Sequence, residues 1–343
     1  MSRYIGKSTE NNINQPRIGV LVTNLGTPEA PTTKALRSYL RVFLSDPRVV
    51  EIPRILWMMI LYCFILPFRP AKSAKLYQSI WTKEGSPLLA ISKQQTQAIT
   101  EQLTEKYGSD VSVKLAMRYG NPSIGSAMEY FCEQGIDKLI VLPLYPQYAG
   151  PTTASTFDAV AKELKKWRKI PNLDFISGYH EHPLYIKALA NSVNEHIQRE
   201  GKPDKLVLSY HGMPELFREW GDPYYDCCKS TTVSLAQSLD FPEKDIIMTF
   251  QSRFGKAEWL KPYTDATLEA LPAENFKNIA ILSPAFSADC LETLEELESE
   301  NREVFMENGG EKYHYIPALN SRKDHINALT DILTQSIDKK YYC

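Results

Sequence analysis

Residues 278–303 read NIAILSPAFSADCLETLEELESENRE, in which an apolar run is followed by a proline and then by an amphipathic pattern. The run at 278–282 predicts a buried strand, and Pro284 ends it. Beyond the proline, leucines recur at helical spacing. At about 100° per residue, the acidic residues of this predicted helix share about 80° of arc: Asp289, Glu292, Glu296, Glu300 and Glu303. A buried strand that leads into a helix is the repeating unit of an α/β fold.

The same unit recurs along the chain. Apolar runs separated by amphipathic stretches predict strands at 19–23, 111–117, 138–144, 173–176, 205–209, 245–249, 278–282 and 313–316. Apolar strands that alternate with helices predict parallel sheets with helices on both faces, the doubly wound α/β class. Ligands in this class bind at the carboxyl ends of the strands. The residues just after each strand are therefore the candidates for a functional site.

Three short motifs at the predicted strand ends occur twice in the same order. They are G-x-P-E at 26–29 and 212–215, Arg-aromatic-Gly at 118–120 and 253–255, and Pro-x-aromatic at 146–148 and 284–286. This repeat predicts two similar lobes, 17–169 and 170–343, with an active-site cleft between them and a disordered tail at 1–16. The first two motifs lie about fifty residues further apart in the first lobe, which predicts an insertion at about 48–90.

The predicted insertion contains the most apolar stretch of the chain, ILWMMILYCFILPF at 55–68, with basic residues on both sides. Its fourteen residues are fewer than the roughly 20 that span a bilayer, so a transmembrane helix is not expected. Two interpretations remain open, a buried core helix or a lip that lies in a membrane interface. The residues of the lip would be Leu56, Trp57, Met58 and Met59.

The composition excludes several classes of function. The 343 residues are 43% hydrophobic and 23% charged, as in a soluble globular protein, and the net charge of −2 offers no basic surface for nucleic acid. No phosphate-binding glycine motif of a nucleotide-using enzyme is present. Six scattered cysteines without a C-x-x-C pair indicate neither a zinc finger nor an iron–sulfur cluster. The polar start of the chain predicts no signal peptide, and hence a cytoplasmic protein with reduced thiols.

The candidate site combines a histidine with the acidic helix. His211 directly follows the apolar run Val207-Leu208-Ser209-Tyr210, so it should lie at the sheet edge where that helix begins. The acidic row by itself also fits a solvated helix face, but like charges at this spacing repel each other unless a cation visits them. A neutral imidazole that faces carboxylates can accept protons and bind iron or zinc.

Apolar and aromatic residues follow the same strand ends and would suit a flat apolar ligand. They are Leu25, Tyr119, Tyr148, Met213, Trp259 and Phe286. Arg118 is placed to pair with a carboxylate on such a ligand.

Several segments closely resemble the ferrochelatase family from Arg17 to the end of the chain. They include AMRYGNPSI, LPLYPQYAGPTTAS, LSYHGMPE, QSRFGKAEWLKPYTD and SPAFSADCLETLEEL. The resemblance implies a chelatase-like fold and a lyase that inserts Fe²⁺ into protoporphyrin IX, the last step of haem biosynthesis. His211 matches the family's active-site histidine and Glu292 its essential glutamate. Leu25, Arg118, Tyr119 and Trp259 match pocket positions, and Asp289 and Glu296 match acidic positions.

The resemblance also carries expectations about mechanism, partners and location. We expect His211 and Glu292 to accept protons or contact the metal, and Glu296 and Glu300 to pass charge outward. Fe²⁺ would be a substrate, and no iron–sulfur cluster or other cofactor is expected. The likeness to the Gram-negative protoporphyrin form implies a peripheral protein on the cytoplasmic side of the inner membrane. A chelatase for coproporphyrin or cobalt and a tetrapyrrole carrier remain alternatives, and the side of metal entry stays open.

Overall fold

The computed structural model describes residues 4–6, 17–255 and 257–339. The expected tail at 1–16 lies outside the described residues except for Tyr4–Gly6. The chain divides into two compact units. The first comprises Met1–Leu144, Gly150–Gly178 and Leu329–Cys343, and the second comprises Tyr145–Ala149 and Tyr179–Ala328.

The sheet of the first unit has four parallel strands in the order β2-β1-β3-β4. These strands are β1 (Ile18–Gly26), β2 (Val111–Tyr119), β3 (Lys138–Pro143) and β4 (Asn172–Phe175). Every residue of β3 is buried, as expected for a strand covered on both faces. At Gly19, an added Cβ would lie 2.8 Å from Ile136 Cδ1 and 2.9 Å from Phe131 Cδ1, so only glycine permits this close packing against the sheet.

The second unit repeats this arrangement. Its parallel strands are β5 (Lys205–His211), β6 (Ile246–Gln251), β7 (Asn278–Leu282) and β8 (Lys312–Tyr315), in the order β6-β5-β7-β8. Each predicted strand is therefore present, and the predicted class of two similar parallel α/β sheets is confirmed. In each unit, the first strand in sequence (β1 or β5) pairs with the second (β2 or β6) on one side and with the third (β3 or β7) on the other.

The helices alternate with the strands. Those before β5 are α1 (Thr33–Leu44), α2 (Arg54–Ile60), α3 (Leu66–Ile80), α4 (Pro87–Tyr107), α5 (Ile124–Gln134), α6 (Ser155–Leu164) and α7 (Pro183–Glu200). Those after β5 are α8 (Glu215–Glu219), α9 (Tyr224–Gln237), α10 (Thr264–Ala270), α11 (Asn301–Glu307) and α12 (Lys323–Asp338). Local signals set their ends: the Ser123 side chain accepts a hydrogen bond from Ser126 N before α5, and Gly135 adopts a left-handed conformation after it.

The predicted lip is part of a longer helix, Arg54–Ile80, in which a π-helical turn at Leu61–Ile65 joins α2 to α3. We call this segment the lip helix. Its buried residues are Trp57, Leu61, Leu66, Pro70, Ala74 and Tyr77. Their spacing is four residues along most of the helix, five across the π-helical turn and three between Ala74 and Tyr77. The extra residue of that turn therefore keeps one continuous face against the rest of the unit.

A proline inside the lip helix is compensated by a side chain. Pro70 has no N–H to donate to the carbonyl of Leu66, which would leave that carbonyl without its helical partner. The Arg37 side chain donates from Nε to Leu66 O at 3.1 Å instead. The helix therefore continues past the proline without an unpaired carbonyl at this position.

The structure corrects two expectations about the lip. Trp57 does not face a membrane: it is 5% exposed, and its indole N–H donates to Leu44 O at 2.6 Å. The helix is also longer than the fourteen-residue apolar run, because the residues after Leu66 continue it. By length and composition its 27 residues could cross a membrane, and 22% of its most apolar window is buried. Core helices of soluble proteins share this length and composition, so these two properties do not distinguish a membrane-spanning helix from a core helix.

Candidate active site

His211 lies at the carboxyl end of β5, next to the point where the strand order of the second sheet reverses. Its Nδ1 is 2.7 Å from the carbonyl oxygen of Gly212, which favours the tautomer with hydrogen on Nδ1. Among the described residues, Nε2 has no hydrogen-bond partner, so its lone pair is available. An added Cβ at Gly212 would lie 2.5 Å from Gln251 O, so this turn requires glycine. The imidazole is therefore held in one orientation with a free acceptor.

The acidic segment after β7 is a π-helix, Glu292–Glu300, and not the predicted α-helix. In a π-helix each N–H bonds to the carbonyl five residues earlier, so a full turn contains more residues than in an α-helix. Positions four apart still face broadly the same way, which keeps Glu292, Glu296 and Glu300 together. Glu292 and Glu296 are half-buried, whereas Glu300 and Glu303 are exposed. The row therefore leads from the protein interior to solvent.

Glu296 is held by two residues at the end of β6. Its Oε1 accepts a hydrogen bond from Ser252 N at 2.7 Å, and its Oε2 accepts from Ser252 Oγ and, at 3.2 Å, from Gln251 Nε2. Ser252 reaches this position through a left-handed backbone conformation, with φ of 65°. Such a conformation is unfavourable for residues other than glycine and is common at functional sites.

The environment raises the pKa of Glu296. Burial is the largest cause, and the charge of Glu292 adds to it, while the hydrogen bonds from Ser252 and Gln251 and the proximity of His211 oppose the rise. A carboxylate whose pKa is raised and that lies near a free imidazole nitrogen is suited to proton transfer. Gln251 Nε2 also donates to the carbonyl of Glu292 at 2.8 Å, so one amide ties the first turn of the π-helix to Glu296.

Asp289 does not belong to the acidic row, contrary to expectation. It lies before the π-helix, is 6% exposed and accepts four hydrogen bonds. The donors are Tyr315 Oη at 2.5 Å, Asn320 Nδ2 at 2.6 Å, Thr293 Oγ1 at 2.9 Å and Ala318 N at 3.2 Å. Both carboxylate oxygens are thus occupied by protein donors, and Asp289 fastens the loop after β7 to the segment after β8. The neighbouring Cys290 is buried, and burial raises the pKa of its thiol well above the usual value, so the thiol stays protonated.

Two of the predicted pocket residues of the second unit, Phe286 and Trp259, lie beside His211 and the adjacent Gly212. The Phe286 ring is half-buried, with its centroid 6.4 Å from that of the imidazole. Trp259 packs on Gly212, because an added Cβ there would lie 3.1 Å from Trp259 Cε3. Met213 and Trp259 are 4% and 6% exposed, so they support the site from beneath more than they line it. Tyr148 is half-buried in the same unit.

The predicted pocket residues of the first unit differ in their exposure. Leu25 is half-buried near the end of β1, and the Arg118 side chain is 19% exposed near the end of β2. Tyr119 is only 1% exposed and donates to Asp46 Oδ2 at 2.7 Å. The ring of Tyr119 thus belongs to the core and its hydroxyl is engaged, whereas the sequence predicted a side chain that lines the pocket.

Gln251 and Ser252 are the residues that sequence reasoning missed. They directly precede Arg253-Phe254-Gly255, one of the repeated motifs, and that motif does not include them. The available signal was the position of a polar pair at a strand end. Within residues 17–255 and 257–339, no group of three or more His, Cys, Asp or Glu side chains converges as a metal site. A metal ion near His211 would thus have few protein ligands.

Comparison with known proteins identifies the family. Residues 17–337 match the family model described as Ferrochelatase. The chain is 58% identical over 317 residues to Ferrochelatase 2 of Shewanella oneidensis, which covers 92% of this chain and 97% of that one. It is 56% identical to a ferrochelatase of Hydrogenovibrio crunogenus, covering 94% and 86% of the two chains. It is 52% identical to a ferrochelatase of Alcanivorax borkumensis, covering 97% and 98%.

Solved structures show the same fold at low identity. SirB from Bacillus subtilis with Fe³⁺ gives a TM-score of 0.56 at 12% identity, over 94% of this chain and 96% of that one. CbiX, the terminal enzyme for biosynthesis of siroheme in denitrifying bacteria, gives 0.50 at 12% identity over 93% and 99%. These similarities confirm the predicted chelatase-like fold. Because the family model spans most of the chain and relatives from three bacteria are more than half identical to it, this chain belongs to the ferrochelatase family.

Proposed function

We propose that this protein inserts Fe²⁺ into protoporphyrin IX to give protohaem with release of two protons, the last step of haem biosynthesis. It is a porphyrin metal chelatase, a lyase. One observation carries the mechanism: a free imidazole nitrogen on His211 and a half-buried carboxylate of raised pKa on Glu296 lie at the same sheet edge. Both are suited to the two proton transfers that the reaction requires.

The proton balance assigns roles to the residues. Metal insertion replaces two pyrrole N–H bonds by metal–nitrogen bonds, so two protons must leave the ring. His211 Nε2 accepts a pyrrole proton, because Nδ1 is committed to the Gly212 carbonyl. Glu296 and Glu292 take the protons onward, and the exposed Glu300 releases them to solvent. General-base catalysis contributes typically about 10²–10⁴-fold, so positioning and distortion of the ring supply much of the remaining acceleration.

Contact with the metal is assigned to Glu292 and to His211, whose single free lone pair on Nε2 can bind the metal only while it does not hold a pyrrole proton. Imidazole and carboxylate ligands both suit Fe²⁺. The small number of converging ligands suits a metal ion that must leave the protein for the porphyrin, since a complete cage would retain it. Asp289 is not part of this path, because its oxygens already accept four protein hydrogen bonds.

We also propose that the protein is cytoplasmic and binds the inner membrane peripherally through the lip helix. The helix and the loop before it expose several large apolar side chains: Ile52, Ile55, Leu56, Met59, Tyr62, Phe64 and Phe68. Met58 is half-buried and packs inward. The same helix carries basic residues, including Arg54 and Lys72, which suit an anionic headgroup layer. Access to an apolar substrate that partitions into bilayers is the functional advantage of this surface.

Anaerobic incubation with protoporphyrin IX and Fe²⁺, followed in the visible spectrum, tests the function. The native protein should form haem, whereas Glu292→Gln and His211→Ala should lose most of this activity while they still bind the porphyrin. Coproporphyrin and Co²⁺, each assayed in parallel, test the neighbouring chelatase activities. Porphyrin that binds the native protein but stays metal-free would instead support a carrier.

A further inference from the structure

A buried carboxylate in the first unit organises the surroundings of Arg118. Asp46 lies in the turn between α1 and the lip helix and is 7% exposed. Its Oδ2 accepts hydrogen bonds from Arg118 Nη2 at 2.5 Å, Ser155 Oγ at 2.6 Å and Tyr119 Oη at 2.7 Å, and its Oδ1 accepts from Arg48 N at 2.8 Å. Burial opposes ionisation, but these donors and the arginine charge outweigh it and hold the pKa of Asp46 below its usual value.

Arg118 uses only part of its guanidinium within the protein. Nε donates to Ser155 O at 2.9 Å and to Ser155 Oγ at 2.7 Å, and Nη2 donates to Asp46. The guanidinium also lies over the Tyr119 ring, 4.5 Å from its centroid. Among the described residues, Nη1 has no hydrogen-bond acceptor, and it is not fully buried. One edge of the group is therefore fixed by the protein, and the other is accessible from solvent.

The same turn anchors the lip helix. Trp57 Nε1 donates to Leu44 O, and Arg54 Nη2 donates to the carbonyl of Ser45, the residue before Asp46. Val49 N and Val50 N donate to the carbonyl of Asp46 itself, at 3.1 Å each. The carboxylate that holds Arg118 thus belongs to the segment from which the lip helix starts.

We propose that Asp46 is a positioning residue for substrate binding: it holds one edge of Arg118 so that Nη1 faces a carboxylate of the porphyrin. This inference rests on the proposed role of Arg118 as the partner of a substrate carboxylate. Asp46 does not touch the substrate. It removes the rotamer freedom of a long side chain before the ligand arrives, so less entropy is lost when the charge-assisted hydrogen bond forms.

The test compares two porphyrins that differ only in charge. Dissociation constants for protoporphyrin IX and for its dimethyl ester are measured by porphyrin fluorescence in the same detergent. The proteins are the native chain, Asp46→Asn, Arg118→Met and the double variant. Each single variant should bind the diacid about tenfold or more weakly and the diester as the native protein does, since a hydrogen bond to a charged group is lost. The double variant should bind the diacid no more weakly than Arg118→Met does.

A matched control removes another arginine–aspartate pair near the same turn. Arg48 Nε donates to Asp158 Oδ2 at 2.8 Å, with both side chains 45% exposed. Asp158→Asn should leave the ratio of diacid to diester affinity unchanged, because Arg118 is not involved.

The outcomes separate the two claims. If Arg118→Met weakens both porphyrins equally, the proposed carboxylate-binding role of Arg118 fails, and the positioning role fails with it. Suppose that Arg118→Met weakens binding of the diacid alone. The positioning role by itself is then overturned if Asp46→Asn weakens binding of both porphyrins, if it weakens diacid binding further in the double variant, or if it strengthens diacid binding. Should Asp46→Asn not fold, Arg118→Lys tests the same point, because one ammonium cannot present two edges. It should lose diacid selectivity as fully as Arg118→Met does, and retained selectivity would overturn the proposal.

Discussion

The hydroxyl of Ser252 should control the pH at which Glu296 becomes ionised. Ser252 Oγ–H donates to Glu296 Oε2, and this bond opposes the effect of burial on the pKa of Glu296. A hydrogen bond to a charged group contributes about 1.5–3 kcal/mol. Full loss of this bond corresponds to about one to two pKa units. Because Ser252 N–H and Gln251 still donate, we expect Ser252→Ala to raise the pKa of Glu296 by about one unit.

The pH dependence of kcat for haem formation is the assay. Glu296 must be ionised to accept a proton, so activity falls as the pH drops through its pKa. In Ser252→Ala this acid limb should move to higher pH by about one unit, and the rate well below the limb should fall about tenfold. The rate on the plateau above the limb should change little.

A glycine variant separates the hydroxyl from the backbone. Ser252 has φ of 65°, which glycine adopts freely and alanine does not. Ser252→Gly should therefore show the same shift of the acid limb as Ser252→Ala, but its free energy of unfolding should be about 1 kcal/mol higher than that of Ser252→Ala. An acid limb that stays at the native pH in both variants would refute the reasoning, because either the hydroxyl does not stabilise the carboxylate or Glu296 does not accept the proton.

Three further perturbations follow from the structure. His325 is fully buried, and burial lowers its pKa from 6.5 to about 4. The protein should therefore lose about 3 kcal/mol of its free energy of unfolding as the pH falls from 6.5 toward 4. In His325→Gln, the free energy measured by urea unfolding should depend less on pH over this range. Asp289→Asn should lower the free energy of unfolding by about 2–4 kcal/mol, because an amide cannot accept all four hydrogen bonds. Ile55→Asp combined with Phe68→Asp should weaken sedimentation with anionic vesicles at least tenfold without a large change in melting temperature, since these side chains are 81% and 73% exposed.

Each of these predictions has a contradicting result. Equal pH slopes for native protein and His325→Gln would remove His325 as the cause of acid sensitivity. For Asp289→Asn, an unchanged unfolding midpoint would show that the loop after β7 does not depend on this carboxylate. Vesicle binding that survives both lip substitutions would place the membrane contact elsewhere, and Val42→Asp, on an exposed position of α1 outside the lip helix, is the matched control.

Much of the site could be predicted because its signals are local. His211 follows an apolar strand directly, and the end of a parallel strand is where such folds bind ligands, so its position follows from neighbours in sequence. Glu292 and Glu296 follow another strand by a short loop, and their spacing of four keeps them on one side of an α-helix or a π-helix. The hydroxyl and amide donors on Glu296 could not be found in this way, because they come from Gln251 and Ser252 on a different strand.

By itself, the sequence determined the eight strands, the two similar parallel sheets and the edge at which His211 lies, since alternating apolar runs and turn residues act over a few positions. Only the tertiary structure decided that the acidic segment is a π-helix, that Asp289 is a structural anchor and that Trp57 and Tyr119 are buried. These outcomes depend on partners far along the chain: the Tyr119 hydroxyl meets Asp46, and Asp289 meets Tyr315 and Asn320. Periodicity shows that a side chain shares a face with others, but the packed neighbours determine whether that face meets protein, ligand or solvent.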